Sequence, residues 1–182
     1  GNYSYATMIH ELGHAFGLKH GQETGGVNNV ALPANHDGLE YSVMTYRSYS
    51  GQDLDAIGFY TNGSTSYAQS LMMYDIAAIQ RYYGADFTTN GSNSVYTFSL
   101  TTGEMFINGV GQGTPSGNKV FRTVWDGGGT DTYDFSNYAT AQIIDLTPGG
   151  YSKFDTSVGN FQLATLNSGY GGTTIYASGN LY

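Results

Sequence analysis

Residues 7–21 read TMIHELGHAFGLKHG, and this stretch predicts the first helix of the chain. Apolar residues recur in and around it at the three- and four-residue spacing of one helix face. They are Tyr5, Met8, Ile9, Leu12 and Phe16. The spacing predicts an amphipathic helix with Ser4 as its candidate N-cap. Gly17 is the predicted stop, because glycine readily adopts the left-handed conformation that ends helices.

The same helix carries residues that can bind a metal. His10 and His14 are four positions apart, so they project from one face of a helix and can reach one ion. Glu11 is rotated by about 100° from His10 and can approach a water at the ion without binding the ion itself. Gly17 allows a sharp turn, after which His20 supplies a third ligand. Three protein ligands and one open position are typical of catalytic zinc sites, so the spacing predicts zinc at these histidines.

Two other interpretations of this stretch remain open. A pair of histidines on a helix is often a surface pair or a hydrogen-bonded pair with no metal. The zinc can also be purely structural, although structural sites usually close with four protein ligands. His36, the fourth histidine, has no partner at a ligand spacing and is interpreted as a structural loop residue.

Composition limits the class of protein. The chain has 182 residues, a formal net charge of −8, 11% charged residues and no cysteine. An acidic chain argues against nucleic acid and anionic membranes as partners and suits divalent cations. No apolar run is long enough to span a membrane. Disulfides cannot stabilise this fold.

The two halves of the sequence differ in pattern, which predicts an α+β chain with regions 1–84 and 85–182. The first half holds the histidine helix and a second helical pattern, MMYDIAAIQRYYG, in which Met72, Ile76, Ile79 and Tyr83 share a face and Gly84 is the stop. The second half shows short alternating runs separated by Gly, Asn, Ser and Pro-Gly, a pattern that favours a β-sandwich or β-roll. The runs are SVYTFSL, KVFRTVWD, DTYDFS, AQIIDL, FQLATL and TTIYAS.

With its glycine and third histidine, the metal-ligand string resembles that of the metzincin zinc endopeptidases. These enzymes place a methionine in a tight turn beneath the zinc, and EYSVMTYRSY supplies Met44 for that turn. The SVMTY form resembles the serralysin branch, which implies that Tyr46 binds zinc or stabilises the reaction intermediate. The stretch MMYDIAAIQRYYGAD is similar to the helix that closes the serralysin catalytic domain. The resemblance implies the C-terminal part of a metzincin catalytic domain, comprising active-site helix, Met-turn and closing helix, followed by a calcium-binding β-region.

The resemblance also implies calcium ligands in the second half. TVWDGGGTDTYDFSNY is similar to the start of the serralysin calcium-binding β-roll, and carboxylate and carbonyl oxygens are the donors that Ca²⁺ takes. A glycine-rich turn between two strands is the alternative. The implied ligands are Asp126, Gly128, Gly129 and Asp131, then Asn90, Ser92 and Ser94 before the first strand, and Thr174 in a late strand. Tyr176 stands where the family has a glutamate, which weakens the site at Thr174.

The resemblance predicts that one part of the catalytic domain lies elsewhere. Metzincin catalytic domains have an upstream half whose edge strand holds the substrate, but only residues 1–9 precede His10. A fragment, a proteolytic product, or a partner chain or segment that supplies the upstream half are all consistent with this.

The leading interpretation is a secreted, extracellular zinc endopeptidase that acts on proteins and peptides and uses Zn²⁺ and Ca²⁺. The resemblance implies that Glu11 is the general base and that Tyr46 stabilises the oxyanion. The alternative is a calcium-stabilised β-rich binding or structural module, or an inactive fragment of such a protease.

Overall fold

A computed structural model describes residues 1–26, 28–155 and 162–182 of the chain. Helix α1 spans Tyr3–Ala15, and the side chain of Asn2 caps it by accepting a 2.9 Å hydrogen bond from the amide of Tyr5. The prediction that Ser4 is the N-cap is therefore wrong: Ser4 lies within the first turn. Gly17 follows the helix with a φ of 88°, as a stop requires.

Two further helices follow, the short α2 (Leu54–Ile57) and α3 (Met73–Tyr83). Gly84 ends α3 with a φ of 86°. The predicted apolar face of α3 is only partly buried, since Tyr83 is 66% exposed and the buried residue of this helix is Asp75. Among the described residues, no helix has the length and apolar character needed to cross a membrane.

The strands form two small sheets, so the structure is mixed α and β. The first sheet has the order β3-β2-β1-β4, in which β1 is antiparallel to β2 and parallel to β4. The second is an antiparallel pair of β5 and β6. The strands are β1 (Val95–Phe98), β2 (Met105–Ile107), β3 (Val110–Gly111), β4 (Thr132–Tyr133), β5 (Thr165–Ser168) and β6 (Thr174–Tyr176). The packing expected of a β-sandwich or β-roll remains a prediction.

Two of the predicted strands are not formed. In the runs KVFRTVWD and AQIIDL, the structure has only the isolated bridges Arg122↔Leu181 and Ile143↔Lys153. The first run is buried at Val120 and Phe121, but its amides bond to scattered acceptors rather than to one neighbouring strand. Val120 donates to the carbonyl of Gln162, for example, and Arg122 to that of Asn180. Of the run FQLATL, Phe161 lies outside the described residues.

Two apolar clusters hold the chain together. The first packs α1 and the segment around Met44 against residues from the second half of the sequence, including Phe121 and Leu166. The second lies under the first sheet and is built around Tyr96, Phe98 and Phe154. The division into regions 1–84 and 85–182 remains a prediction, and the first cluster contains residues from both.

Candidate metal centre

The three histidines predicted as zinc ligands lie together. One ring nitrogen from each of His10, His14 and His20 falls within 4.8 Å of the others. The Nε2 atoms of His14 and His20 are 3.1 Å apart. His10 and His14 come from one face of α1, and the turn at Gly17 brings His20 back towards them.

A hydrogen bond fixes the orientation of each imidazole. In every ring, Nδ1 lies within bonding distance of an oxygen acceptor, which selects the tautomer with the proton on Nδ1. The acceptors are the carbonyl of Val43 for His10 (2.7 Å), the carbonyl of Leu18 for His14 (2.9 Å) and the carboxylate of Glu23 for His20 (2.8 Å).

These bonds leave the Nε2 atoms as lone-pair donors. Two unprotonated nitrogens at 3.1 Å repel each other unless a cation or a proton lies at the cluster. Burial lowers the pKa of His10, although its bond to the Val43 carbonyl acts in the opposite direction, and the lowered pKa favours the neutral imidazole. Neutral imidazoles whose other nitrogen is bound to an oxygen are the donors that zinc takes. The donor set therefore fits zinc.

Tyr46 and Glu11 lie beside this cluster. The Tyr46 hydroxyl is 2.8 Å from Nε2 of His20, and burial raises the pKa of that hydroxyl. Glu11 is exposed on α1. Glu11, His10 and Tyr46 line one cleft of about 400 Å³, whose other walls are mainly uncharged, with Phe59 and Tyr60 among them.

The predicted Met-turn lies directly beneath α1. Met44 is 2% exposed, and a Cβ added at Gly13 would overlap its sulfur. A glycine between the two helix histidines therefore lets the turn approach the helix. The contact places Met44 against α1 at the residue just before His14.

A buried carboxylate ties this turn to α3. Asp75 accepts hydrogen bonds from the Ser42 hydroxyl (2.6 Å) and from the amides of Val43 and Met72 (both 2.8 Å). Burial raises the pKa of Asp75 to about 6, although these three donors pull it down. Since the Val43 carbonyl holds His10, the bonds of Asp75 connect α3 to the histidine cluster.

Sequence reasoning missed Glu23 and Asp75. Glu23 carried a local signal, an acidic residue three positions after a candidate ligand, where its carboxylate can reach the histidine. Its bond to His20 lowers the pKa of Glu23. The bonds of Asp75 to Ser42 and Val43 carried no such signal, because these two partners lie more than 30 positions away in the sequence.

Most of the residues predicted to bind calcium lie in two neighbouring loops. Asp131 Oδ1 accepts a 2.9 Å hydrogen bond from the amide of Ser94, and the Ser94 hydroxyl donates to the carbonyl of Ser92 at 3.0 Å. A Cβ at Gly129 would lie 2.7 Å from the carbonyl carbon of Ser92, so the loops approach closely at a glycine. The loops are 90–94, with Asn90, Ser92 and Ser94, and 126–131, with Asp126, Gly128, Gly129 and Asp131.

The last predicted calcium residue lies elsewhere. Thr174 is exposed at the start of β6 and pairs with Ser168 in the second sheet. Tyr176, on the same strand, is 45% exposed. His36 makes ring contacts with Tyr41 and Tyr74.

Comparison with known proteins matches the chain to one group of proteases. Residues 85–173 match the family described as Peptidase M10 serralysin C terminal. Serralysin C of Dickeya chrysanthemi is 37% identical over 179 residues. The chain is similar to serralysins over almost its whole length. Metalloprotease AprA of Pseudomonas entomophila is 36% identical over 180 residues, and serralysin of Proteus mirabilis 35% over 179 residues.

These alignments cover almost all of this chain but a minor part of its relatives. They include 95% of the chain for AprA and 94% for the two serralysins. The chain spans 36%, 35% and 34% of the respective relatives.

Proposed function

We propose that this chain is the histidine-bearing part of a zinc-dependent endopeptidase that hydrolyses proteins. The observation that carries the proposal is the orientation of the imidazoles of His10, His14 and His20. Each Nδ1 has an oxygen acceptor, so the Nε2 atoms, of which those of His14 and His20 are 3.1 Å apart, are the nitrogens left for a metal. Metalloprotease is also the activity in the name of a relative, AprA.

The roles of the other residues follow from their places around the cleft. Bound zinc would polarise the scissile carbonyl and lower the pKa of water. Glu11, exposed beside His10, accepts a proton from the attacking water and passes it to the leaving nitrogen. Tyr46 donates a hydrogen bond to the oxyanion that develops on the substrate carbonyl. Met44 supports the histidines from below.

The proposal includes a further segment or chain that completes the cleft. Four apolar side chains form an exposed stripe along α1 and its end, namely Tyr5 (41%), Met8 (50%), Leu12 (47%) and Phe16 (44%). Apolar stripes of this kind usually pack against another element. The upstream half of the catalytic domain is the proposed occupant.

Secretion of the protein, with extracellular proteins as its substrates, is part of the same proposal.

Casein cleavage tests this function. The protein at its full natural length should cleave casein, lose that activity with 1,10-phenanthroline, and regain it with zinc. Calcium is kept in excess throughout, and the nitrogen chelator removes zinc in preference to this hard cation. A loss of activity therefore reports the loss of zinc. A folded, zinc-loaded protein that leaves casein intact would contradict the proposal.

One observation favours a second candidate function, a calcium-stabilised β-rich module that does not cut. The match to the serralysin C-terminal family begins at residue 85, after all of the histidines. In this alternative the histidine cluster has no catalytic role. Cleavage of casein by the zinc-loaded protein distinguishes the two candidates.

Calcium binding by loops 90–94 and 126–131 is part of the proposal for either function. The two loops supply carboxylates from Asp126 and Asp131 beside backbone carbonyls, the oxygen donors that Ca²⁺ prefers. Their close approach at Gly129 supports this role.

Removal of one carboxylate tests the calcium site. Calcium at 100 times its Kd should stabilise the parent by about 2.7 kcal/mol and raise its Tm. Asp131→Ala should lose most of this rise, whereas Asp134→Ala, at a half-buried neighbour outside the proposed ligands, should keep it. The measurement is thermal unfolding with and without calcium. An equal rise in Tm for Asp131→Ala and the parent would rule out Asp131 as a ligand.

A further inference from the structure

One buried carboxylate binds the side chains of the residues on both sides of Tyr46. Asp37 is 3% exposed, and its Oδ1 accepts a hydrogen bond from the Thr45 hydroxyl at 2.5 Å. Its Oδ2 is paired with the guanidinium of Arg47. Since Thr45 and Arg47 flank Tyr46 in the sequence, Asp37 anchors this tyrosine from both sides.

The same carboxylate also touches the residue that follows His20. A Cβ added at Gly21 would lie 2.6 Å from Oδ1 of Asp37, so a larger residue would displace the carboxylate. The amide of Gly21 donates to the carbonyl of Met44 at 3.2 Å. Asp37 therefore packs against the chain beside His20 and bonds to the residues beside Tyr46.

Other hydrogen bonds restrain the segment 45–47 in the same position. The amide of Arg47 donates to the Thr45 hydroxyl at 3.0 Å, and its Nε donates to the carbonyl of Gln52 at 2.9 Å. The Tyr60 hydroxyl donates to the carbonyl of Thr45 at 2.7 Å. Within this network, Asp37 also packs against Gly21, the residue that follows His20.

We propose that Asp37 is a positioning residue that sets the Tyr46 hydroxyl at its distance from His20. Its effect on catalysis rests on the proposed function, whereas its effect on the Tyr46–His20 geometry does not. The physical reason is that a displacement of about 1 Å at the reacting centre can lower the rate of catalysis by up to about 100-fold. Loss of the Asp37 charge would weaken the pairing with Arg47 and release one side of the Tyr46 backbone.

Asp37→Asn is the variant that tests the geometry. NMR of the full, metal-free chain should show cross-peaks between the rings of Tyr46 and His20, whose centroids are 4.4 Å apart. Tyr46→Phe assigns these signals. The cross-peaks should fall by at least about half in Asp37→Asn and stay unchanged in Asp55→Asn, an exposed carboxylate on α2. Where Asp37→Asn does not fold, Thr45→Val removes a single donor to Asp37 and should change the cross-peaks in the same direction. Unchanged cross-peaks in the folded variant would overturn the proposal.

Kinetics of the protein at full natural length distinguish positioning from a general structural role. Asp37→Asn should lower kcat for a peptide about tenfold, with KM and zinc content unchanged. In a Tyr46→Phe background the same change should cost less than about twofold, because residues that act as one unit are not additive. An equal loss in both backgrounds would refute the positioning role. A parent that binds zinc but cleaves no peptide would refute the proposed function instead, and the NMR result would still decide the role of Asp37.

Discussion

Replacement of Glu11 by glutamine should lower the turnover of casein by about 10²–10⁴-fold while zinc stays bound. Glutamine keeps the shape of the side chain but cannot accept the proton of the attacking water. Glu11 is not one of the proposed zinc ligands, so its replacement should leave zinc binding intact. Its exposed position on α1 leaves room for the amide. The loss should therefore appear equally in kcat and in kcat/KM, as expected for an interaction made in the transition state.

The control for this variant is Asp55→Asn, which also converts an exposed carboxylate on a helix into an amide. It should retain the parent activity. Zinc content is measured on each sample, so that a loss of metal is not mistaken for a loss of the base. A Glu11→Gln protein that cleaves casein at near the parental rate would show that Glu11 is not the general base.

Replacement of His14 by alanine should weaken zinc binding by more than about 100-fold. Loss of a residue that only orients a metal ligand typically costs 10–100-fold in affinity, and His14 is proposed as a ligand itself. His14 is also the ring nearest to His20, with 3.1 Å between their Nε2 atoms. The measurement is competition for zinc with a chromogenic chelator.

The chain contains a matched control for this second variant. His36 is the one histidine outside the cluster, and its ring packs against Tyr41 and Tyr74. His36→Ala should bind zinc as the parent does, even if its Tm falls through lost packing. Equal zinc affinity in His14→Ala and His36→Ala would remove His14 from the proposed ligand set.

The histidine cluster could be predicted from sequence because its geometry is largely local. Helix periodicity places His10 beside His14, and a glycine stop brings the next residues back along the helix. The partners that orient the rings are less accessible to such reasoning. The Val43 carbonyl reaches His10 from 33 positions away, and Asp37 acts through contacts with Gly21, Thr45 and Arg47.

The β-rich half shows where short patterns fail. The hairpin of β2 and β3 was not predicted, although Asn108-Gly109 is a strong turn signal and both residues have positive φ angles of 51° and 79°. Alternation in KVFRTVWD predicted a strand, yet burial rather than strand pairing accounts for its apolar residues. Val120 and Phe121 are fully buried, while their amides bond to Gln162 and the side chain of Gln69.

The helices also show a limit of prediction from sequence. Ser4 and Asn2 are both good capping residues, and the choice between them depends on where the chain enters the fold. The structure selects Asn2, whose side chain accepts from the amide of Tyr5. For α3, the pattern predicted the helix and its glycine stop and placed Tyr83 on a face with Met72, yet Met72 is fully buried and Tyr83 is 66% exposed.

The zinc content of the purified, folded chain is the measurement that tests the central claim most directly. Elemental analysis after dialysis against zinc should give one zinc per chain, and the X-ray absorption spectrum at the zinc edge should report imidazole nitrogen donors. His10, His14 and His20 are then the proposed source of those donors. A folded chain that retains no zinc under these conditions would contradict the assignment of this cluster as a metal centre.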